Sequence, residues 1–281
     1  MIQDVCQARF GQAPKRITPV SGGCIAGAFR VDLPDGTRLF AKQTRGPDPF
    51  AAEALGLQHL DIPGGVRVPK VLHVETNLLM LEWIELAPSP RKDPETAQAL
   101  LGEQLAVTHQ KTDTAYGFPL NHVIGATPQQ NLPRLPHQPG AWPEFWWTHR
   151  LEPMIRRLPA DQQNAFLALE DRVSPLLEGS DETPALLHGD LWGGNVGWGT
   201  ADRPVIYDPA PYYGHREADL AMTRMFGGFT PDFYQAYHEA FPLPDGWETR
   251  LDFYRLYHVL NHVVLFGASY FPQARHIRVH D

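Results

Sequence analysis

Short runs of alternating apolar and polar positions fill the first third of the chain, a pattern typical of antiparallel strands. Residues 17–43 predict strand, Gly-rich turn, strand, hairpin turn and strand, with Asp35-Gly36 at the second turn because this pair favours tight hairpins. Residues 49–60 have apolar side chains at helical spacing, and residues 68–86 predict two further strands. The first third is therefore expected to be a sheet with one helix.

From about residue 94 the pattern becomes mainly helical, starting with a long amphipathic helix over residues 94–110. A Pro-rich polar connection follows at residues 117–143, and residues 184–215 are rich in turns and short strands. Further helices are predicted at residues 145–158, 161–178 and 217–269. This order predicts an α+β fold of two lobes, a small antiparallel sheet lobe (1–84) and a larger helical lobe (85–281).

Composition narrows the classes of partner and compartment. The formal net charge is −8, from 24 Lys and Arg against 32 Asp and Glu, which argues against nucleic acid or an anionic membrane as the main partner. No apolar run reaches membrane-spanning length, and the first residues lack the pattern of a secretory signal. Two cysteines, Cys6 and Cys24, cannot form a disulfide framework, so a cytoplasmic protein is expected.

The most informative stretch is Leu-His-Gly-Asp-Leu-Trp-Gly-Gly-Asn at residues 187–195, followed by an apolar strand that ends at Asp208. Its His-x-Asp-x4-Asn spacing is that of a kinase catalytic loop. Phosphoryl transfer needs a carboxylate to accept the proton of the acceptor hydroxyl, which Asp190 would supply, and oxygen ligands for Mg²⁺, which Asn195 and Asp208 would supply. The alternative is that these side chains only cap turns in a Gly-rich loop.

The first lobe contains the other parts of a kinase nucleotide site in the expected order. Gly22 and Gly23 lie in the Gly-rich turn, Lys42 ends the next strand, and Glu53 lies on the helix that follows. Taken singly, each is an ordinary turn, strand or helix-surface residue, and no GxxxxGK[ST] motif is present. Between the lobes, the backbone of Glu82 and Ile84 is expected to contact the adenine edge, unless this is simply the end of an edge strand.

Over nearly its full length the chain resembles the fructosamine-3-kinase (ketosamine-3-kinase) family, relatives of aminoglycoside and choline kinases with a protein-kinase-like fold. The matching segments are residues 22–31, 186–198, 205–229, 233–247 and 256–270. The resemblance implies an ATP- and Mg²⁺-dependent kinase that phosphorylates the sugar 3-hydroxyl of ketosamines, free or protein-bound. Because the phosphorylated adducts are unstable, such enzymes reverse early glycation.

Carried over motif by motif, the resemblance makes Asp190 the base and Trp192 an aromatic residue that stacks on the substrate. An indole face can pack on the C–H surface of a sugar, although a Trp that anchors the loop in the core is the alternative. His188 and Asp219 are expected to support the catalytic loop from behind. Oxidation of Cys24, in the Gly-rich turn, is hypothesised to inhibit ATP binding, the alternative being an inert buried thiol.

Two other functions fit the same residues. One is a kinase for aminoglycosides or other small amines, against which Trp192 and the 205–229 segment weigh. The other is a pseudokinase that binds without turnover, which the presence of the complete set Lys42, Glu53, Asp190, Asn195 and Asp208 disfavours. The sequence leaves open whether the protein is a monomer or a homodimer.

Overall fold

The structure is a computed structural model that describes residues 1–20, 27–44, 50–177 and 182–277. Its strands are β1 (Arg16–Pro19), β2 (Gly27–Asp32), β3 (Arg38–Gln43), β4 (Val71–Glu75), β5 (Leu78–Glu82), β6 (Ala115–Tyr116), β7 (His122–Ile124), β8 (Thr127–Gln129), β9 (Leu135–Pro136), β10 (Ala185–Leu187), β11 (Val196–Trp198), β12 (Pro204–Ile206) and β13 (Tyr212–Gly214). Its α-helices are α1 (Ile2–Phe10), α2 (Phe50–Leu60), α3 (Pro94–His109), α4 (Ala141–Phe145), α5 (Glu152–Ile155), α6 (Ala160–Leu167), α7 (Glu170–Leu176), α8 (Glu217–Thr223), α9 (Pro231–Ala240), α10 (Trp247–Phe266) and α11 (Phe271–His276).

The strands predicted in the first third pair as one antiparallel five-stranded sheet in the order β1-β2-β3-β5-β4. Successive residues of a strand point to opposite faces of the sheet. Each face packs against a different helix, so alternate residues of one strand belong to different cores. On β5, Leu78 and Met80 pack in a small core with α1, whereas Leu79 and Leu81 belong to the large core that includes α2. Helix α1 was not predicted from the sequence, because its nine residues mix apolar and polar side chains in one short segment.

The second lobe is mainly helical, as expected, with α3 against α9 and α8 against α10 as its principal helix pairs. At Gly102 on α3, an added Cβ would lie 2.2 Å from the carbonyl oxygen of Phe233, so glycine permits the close crossing with α9. Trp142, Phe145 and Trp146 are fully buried in the core of this lobe.

Three local predictions for this lobe were wrong in detail. The helix predicted over residues 161–178 is two short helices, α6 and α7. The one predicted from residue 145 contains a π-helix (Trp146–Leu151) before α5. The connection at residues 117–143 contains short strands instead of being a plain loop, and Gln129 and Asn131 within it are buried.

Helix α2 and the segment after β5 join the sheet to the helical lobe. A Cβ at Gly56 would lie 2.3 Å from the Pro211 ring, and His59 Nδ1 lies 3.2 Å from the hydroxyl oxygen of Tyr213. Farther along, Ala87 and Trp198 exchange two backbone hydrogen bonds of 2.9 Å. The first two contacts place α2 directly against the segment that carries Asp208.

Within the described ranges, no helix combines the length and apolar character needed to cross a bilayer.

Candidate active site

A buried ion-pair cluster joins the two lobes. The Lys42 ammonium, from the end of β3, donates to Glu53 Oε1 on α2 at 2.7 Å and also to Asp208 Oδ1. Lys42 and Glu53 are both buried, whereas Asp208 is half-buried. Burial alone would lower the pKa of Lys42, but the two carboxylates outweigh it and raise that pKa above its ordinary value. Lys42 is therefore charged and held at the interface between the lobes.

Asp208 has a backbone conformation that non-glycine residues rarely adopt, with φ +57°. The three residues after it are Pro209, Ala210 and Pro211. Their carbonyl oxygens accept hydrogen bonds, in chain order, from the side chains of His122 (2.9 Å), Gln129 (2.9 Å) and Asn131 (3.3 Å). These buried side chains hold the backbone that aims the Asp208 carboxylate.

The sequence analysis did not single out His122, Gln129 or Asn131. They lie on or beside strands of two or three residues, which are too short to show a period. In the sequence, these residues appear only as polar side chains within a proline-rich segment, a pattern that is equally typical of an exposed loop.

The catalytic loop that the sequence predicts lies beside this segment. Gly189 has φ +81°, and a Cβ there would lie 1.9 Å from the carbonyl oxygen of Ala210. The Ala210 carbonyl, two residues after Asp208, thus excludes a side chain at position 189, which accounts for glycine in the loop. Asn195 Nδ2 donates to the carbonyl oxygen of Asp190 at 2.8 Å and to its carboxylate at 3.2 Å. The loop therefore folds back on the Asp190 side chain.

Asp219, at the start of α8, holds the same loop from behind. Its two carboxylate oxygens accept the backbone N–H groups of His188 at 2.7 Å and Gly189 at 2.8 Å, and His109 Nε2 lies 3.2 Å away. Burial would raise the pKa of Asp219, but the hydrogen bonds and the nearby imidazoles outweigh it and lower that pKa. His109, whose Nδ1 lies 2.8 Å from the hydroxyl oxygen of Tyr237, falls within the helix predicted over residues 94–110, but the sequence assigned it no role at the site.

His188 connects the catalytic loop to the strand that leads to Asp208. Its Nε2–H donates to the Tyr207 carbonyl at 3.0 Å, while its Nδ1 accepts from the Asp190 N–H at 3.3 Å. Burial lowers the pKa of this imidazole, so the neutral ring with the proton on Nε2 fits both contacts.

The Asp190 carboxyl has the electrostatic character of a proton acceptor near neutrality. Its burial raises its pKa to about 7, an effect that the hydrogen bond from Asn195 opposes and that the charges of Asp208 and Asp219 reinforce. A carboxylate with a pKa close to the working pH suits general base chemistry better than one with an ordinary pKa.

Trp192 is exposed at the edge of the loop and is not a core residue. The residue is 37% exposed. Its six-membered ring covers Gly194 so closely that a Cβ added there would lie 2.2 Å from a ring carbon. The indole therefore rests on the loop that contains Asp190 and presents surface to solvent, as a residue that stacks on a substrate requires.

Other predicted residues are placed less decisively. The Glu82 N–H donates to the Lys70 carbonyl at 3.0 Å, so of its two backbone groups only the carbonyl could hydrogen-bond to an adenine. Ile84, just beyond β5, is half-buried, and its backbone makes no hydrogen bond to the rest of the described chain. Gly22, Gly23 and Cys24 lie outside the described residues. Cys6 is a buried free thiol.

The donor set next to Asp190 fits a magnesium ion that keeps nucleotide and water ligands. Across the described residues there is no cluster of three or more His, Cys, Asp or Glu side chains able to hold a metal. Mg²⁺ in nucleotide sites commonly takes one or two protein oxygens and completes its shell with phosphates and water. With its amide nitrogen donating to Asp190, Asn195 has its oxygen left for such an ion, and Asp208 has a second carboxylate oxygen.

Known proteins resemble this chain along its whole length. The family model described as fructosamine kinase matches residues 1–279. A Synechocystis sp. protein named as a probable ketoamine kinase is 39% identical over 266 residues, spanning 91% of this chain and 86% of the relative. The chloroplastic protein-ribulosamine 3-kinase of Oryza sativa subsp. japonica is 38% identical over 275 residues, spanning 93% of this chain and 77% of the relative.

Solved structures give the same fold. A crystal structure from Thermobifida fusca, described under the name fructosamine-3-kinase, has a TM-score of 0.86 and 34% identity, covering 98% of each chain. A choline/ethanolamine kinase family protein from Mesorhizobium loti has a TM-score of 0.62 with 17% identity, covering 100% of this chain and 96% of the other, and shows the fold alone. The predicted two-lobe, kinase-like α+β fold is confirmed.

Proposed function

Because the chain belongs to the fructosamine kinase family, we propose that it transfers the γ-phosphoryl group of ATP to the sugar 3-hydroxyl of ketosamines. The rice relative, at 38% identity, carries the name protein-ribulosamine 3-kinase, which supports a ketosamine as acceptor. Phosphorylation at this position would promote breakdown of the adduct and so reverse early glycation.

The observation that carries this proposal is a cation and a carboxylate brought together at the junction between the two lobes. The Lys42 ammonium reaches from the sheet lobe to Asp208, and Asp190 lies on the adjoining loop, held by Asn195 and Asp219. A kinase needs a cation for the transferred phosphates next to a carboxylate for the acceptor hydroxyl. The assignment of roles follows from this pairing.

In the reaction we assign to this site, Asp190 accepts a hydrogen bond from the acceptor hydroxyl and takes its proton as the new O–P bond forms. The bond between the γ-phosphorus and the β,γ-bridging oxygen breaks, and ADP leaves with that electron pair. Lys42, oriented by Glu53, stabilises the negative charge on the phosphate oxygens. Trp192 holds the sugar against the loop, so that the hydroxyl lies within reach of Asp190.

Asn195 and Asp208 would hold Mg²⁺ in this assignment, and the ion would neutralise phosphate charge when bound. Glu82 and Ile84 would meet the adenine edge, with the Glu82 carbonyl as the acceptor. Residues 1–84 then form the nucleotide-binding lobe and residues 85–281 the catalytic and acceptor-binding lobe. A cytoplasmic location is part of the proposal, since the free thiol of Cys6 suits a reducing compartment.

An acceptor screen tests the proposal. ADP release would be measured with ribulosamines, erythrulosamines, fructosamines and kanamycin, and the phosphorylated position would be located by NMR. We expect turnover with ketosamines, phosphate on the sugar 3-oxygen, and no turnover with kanamycin. Phosphorylation of kanamycin alone would contradict the proposal, as would ATP binding without turnover on any acceptor.

A further inference from the structure

Trp192 is one end of a continuous aromatic surface. The rings contact one another edge to face or tilted, and we call this set the aromatic shelf: Trp192, Phe226, His262, Phe266 and Tyr270. The ring centroids are 5.7 Å apart for Trp192 and Phe226, 5.1 Å for Phe226 and His262, and 5.5 Å for His262 and Phe266. Tyr270 closes the far end, 5.2 Å from His262 and 6.0 Å from Phe266. The shelf therefore extends well beyond the area that a single indole offers one sugar ring.

The shelf keeps large apolar side chains in solvent. Phe226 is 44% exposed and Phe266 is 56% exposed, in addition to the exposed indole of Trp192. Scattered exposed apolar residues are common on protein surfaces, but a contiguous set beside a catalytic loop indicates a binding surface. Burial of this set by a ligand would release its apolar surface from water.

Phe226 is held in place by a loop with its own polar support. The buried Gln98 side chain, from α3, donates to the Gly228 carbonyl at 2.8 Å and accepts from the Thr230 N–H at 3.4 Å. On the other side, a Cβ at Gly193 would lie 2.8 Å from the Gly227 carbonyl oxygen. The loop that carries Phe226 is thus hydrogen-bonded to α3 and packed closely against the catalytic loop that contains Asp190.

We propose that the aromatic shelf binds the amine side of the ketosamine, namely the secondary ammonium next to the sugar and the alkyl chain attached to it. The inference rests on the proposed function and extends it to the substituent on the amine. With the sugar stacked on Trp192 and its hydroxyl at Asp190, the rest of the acceptor continues along the surface that starts at the same indole.

The chemistry of the shelf favours an alkylammonium over a neutral or anionic group. Aromatic faces attract organic cations through their quadrupole, and adjacent rings form the kind of surface that binds alkylated ammonium groups. The same faces pack against methylene groups, which a lysine side chain supplies in a row. An acceptor with a lysine-like stem would cover the shelf, whereas a methylamine adduct would reach only its first rings.

The inference is tested with acceptors that share the ribulose unit and differ only beyond it. These are the ribulosamines of methylamine, butylamine and Nα-acetyl-lysine, with the 1-O-butyl ether of ribulose as the neutral counterpart of the butylamine adduct. We expect kcat/KM about tenfold higher for the butyl than for the methyl adduct, and about tenfold higher for the butylamine adduct than for the ether. The gain should lie mainly in KM, since these contacts are remote from the reacting bond.

Variants locate the preference on the shelf. Phe266→Ala and Phe226→Ala should each reduce the butyl-over-methyl ratio to about threefold or less, while Phe266→Tyr should retain it. Val74→Ala, which removes an exposed apolar side chain on the sheet lobe, is the matched control and should leave the ratio unchanged.

The outcomes separate the two proposals. Turnover of ribulosamines with no dependence on chain length or charge would overturn the shelf assignment alone. Equal losses of kcat/KM for all acceptors in Phe226→Ala and Phe266→Ala would also overturn it. So would variants that change the sedimentation of the protein but not the butyl-over-methyl ratio, because the shelf would then be a contact between copies of the chain. Absence of turnover on every ribulosamine, erythrulosamine and fructosamine would overturn the proposed function, and the shelf assignment with it.

Discussion

The two sides of the active site are built in opposite ways. On the proposed nucleotide side, the Lys42 ammonium and the Glu53 carboxylate are buried and paired within the sheet lobe, and Lys42 also pairs with Asp208 of the helical lobe. On the proposed acceptor side, the aromatic shelf leaves Trp192, Phe226 and Phe266 exposed, and its members contact one another through ring faces and edges. One side is a closed network of charges, and the other is an open apolar surface.

The difference follows from what each side has to do. Charges that stabilise phosphoryl transfer act strongly only where water is excluded and where the groups are already in place, so their partners must be buried with them. Acceptor contacts remote from the reacting bond add affinity in small increments, and an exposed surface can supply these at little cost to the fold. Substitutions should therefore cause abrupt losses on the network side and graded losses on the shelf.

The largest loss is expected for Asp190→Ala. Removal of the proposed base should lower kcat by about a thousandfold, because general base catalysis typically contributes about 10²–10⁴-fold. Nucleotide affinity should stay within about threefold, since Asp190 acts on the acceptor hydroxyl. Steady-state kinetics and calorimetric titration with ATP and Mg²⁺ would measure the two effects. A variant that retains turnover would remove Asp190 from the mechanism.

Gly189→Ala should be nearly as damaging for a different reason. The added Cβ would meet the Ala210 carbonyl oxygen at 1.9 Å, in a residue whose φ of +81° already disfavours side chains. We expect a loss of about 2–4 kcal/mol in unfolding free energy and a fall of about a hundredfold in kcat as the loop shifts.

Gly36→Ala is the matched control for that substitution. Gly36 has φ +89°, but a Cβ added there would have no heavy atom within 4 Å, so it carries the backbone cost without the collision. Urea denaturation should show a loss of about 1 kcal/mol and kinetics should show unchanged kcat. Equal effects of the two substitutions would mean that the contact with Ala210 is unimportant.

Asp219→Asn should give a smaller loss on the same network. The amide cannot accept both loop N–H groups, so the His188 or Gly189 donor is left facing an NH₂ group. We expect kcat to fall about tenfold with KM for ATP little changed, and the unfolding free energy to fall by about 1–3 kcal/mol. If stability fell while kcat stayed intact, Asp219 would support the fold without positioning the loop.

Sequence reasoning recovered the parts of the network that follow one another along the chain. Asp190, Asn195 and Asp208 could be found because their spacing is diagnostic, and Lys42 and Glu53 because they follow in a known order. The proximity of Lys42 to Asp208 depends on the packing of α2 against Pro211 and Tyr213, and no local pattern reports such contacts.

The residues that were missed are those whose role is set by distant partners. His109 looks like any buried helical position until Asp219, 110 residues later, is placed beside it. Phe226 and Phe266 look like ordinary apolar residues, because exposure is decided by what the rest of the chain leaves uncovered. The N-terminal helix α1 was missed because it is short and only three of its side chains, those of Ile2, Val5 and Cys6, are buried against the sheet.

The smallest expected effect is on the pH dependence of the unfolding free energy, and it concerns one of two histidines that lie one turn apart on α10. His258 is buried near the charge of Asp219, whereas His262 belongs to the shelf. Burial lowers the pKa of His258 to about 3, whereas in the unfolded chain it lies near 6.5. On acidification the unfolded chain takes up this proton first. The stabilisation is therefore complete above about pH 6.5 and is lost progressively towards pH 3.

His258→Gln removes this titration and keeps a neutral polar side chain. Between pH 6.5 and 4, the unfolding free energy of the variant should fall less steeply than that of the unaltered protein, by up to about 1.4 kcal/mol per pH unit. Urea denaturation at half-unit pH intervals would measure the slopes, and the curves at pH 7.5 would give the separate cost of altered packing. Parallel slopes for the variant and the unaltered protein would mean that His258 has the same pKa in the folded and the unfolded chain. Its buried site would then tolerate the charged imidazolium.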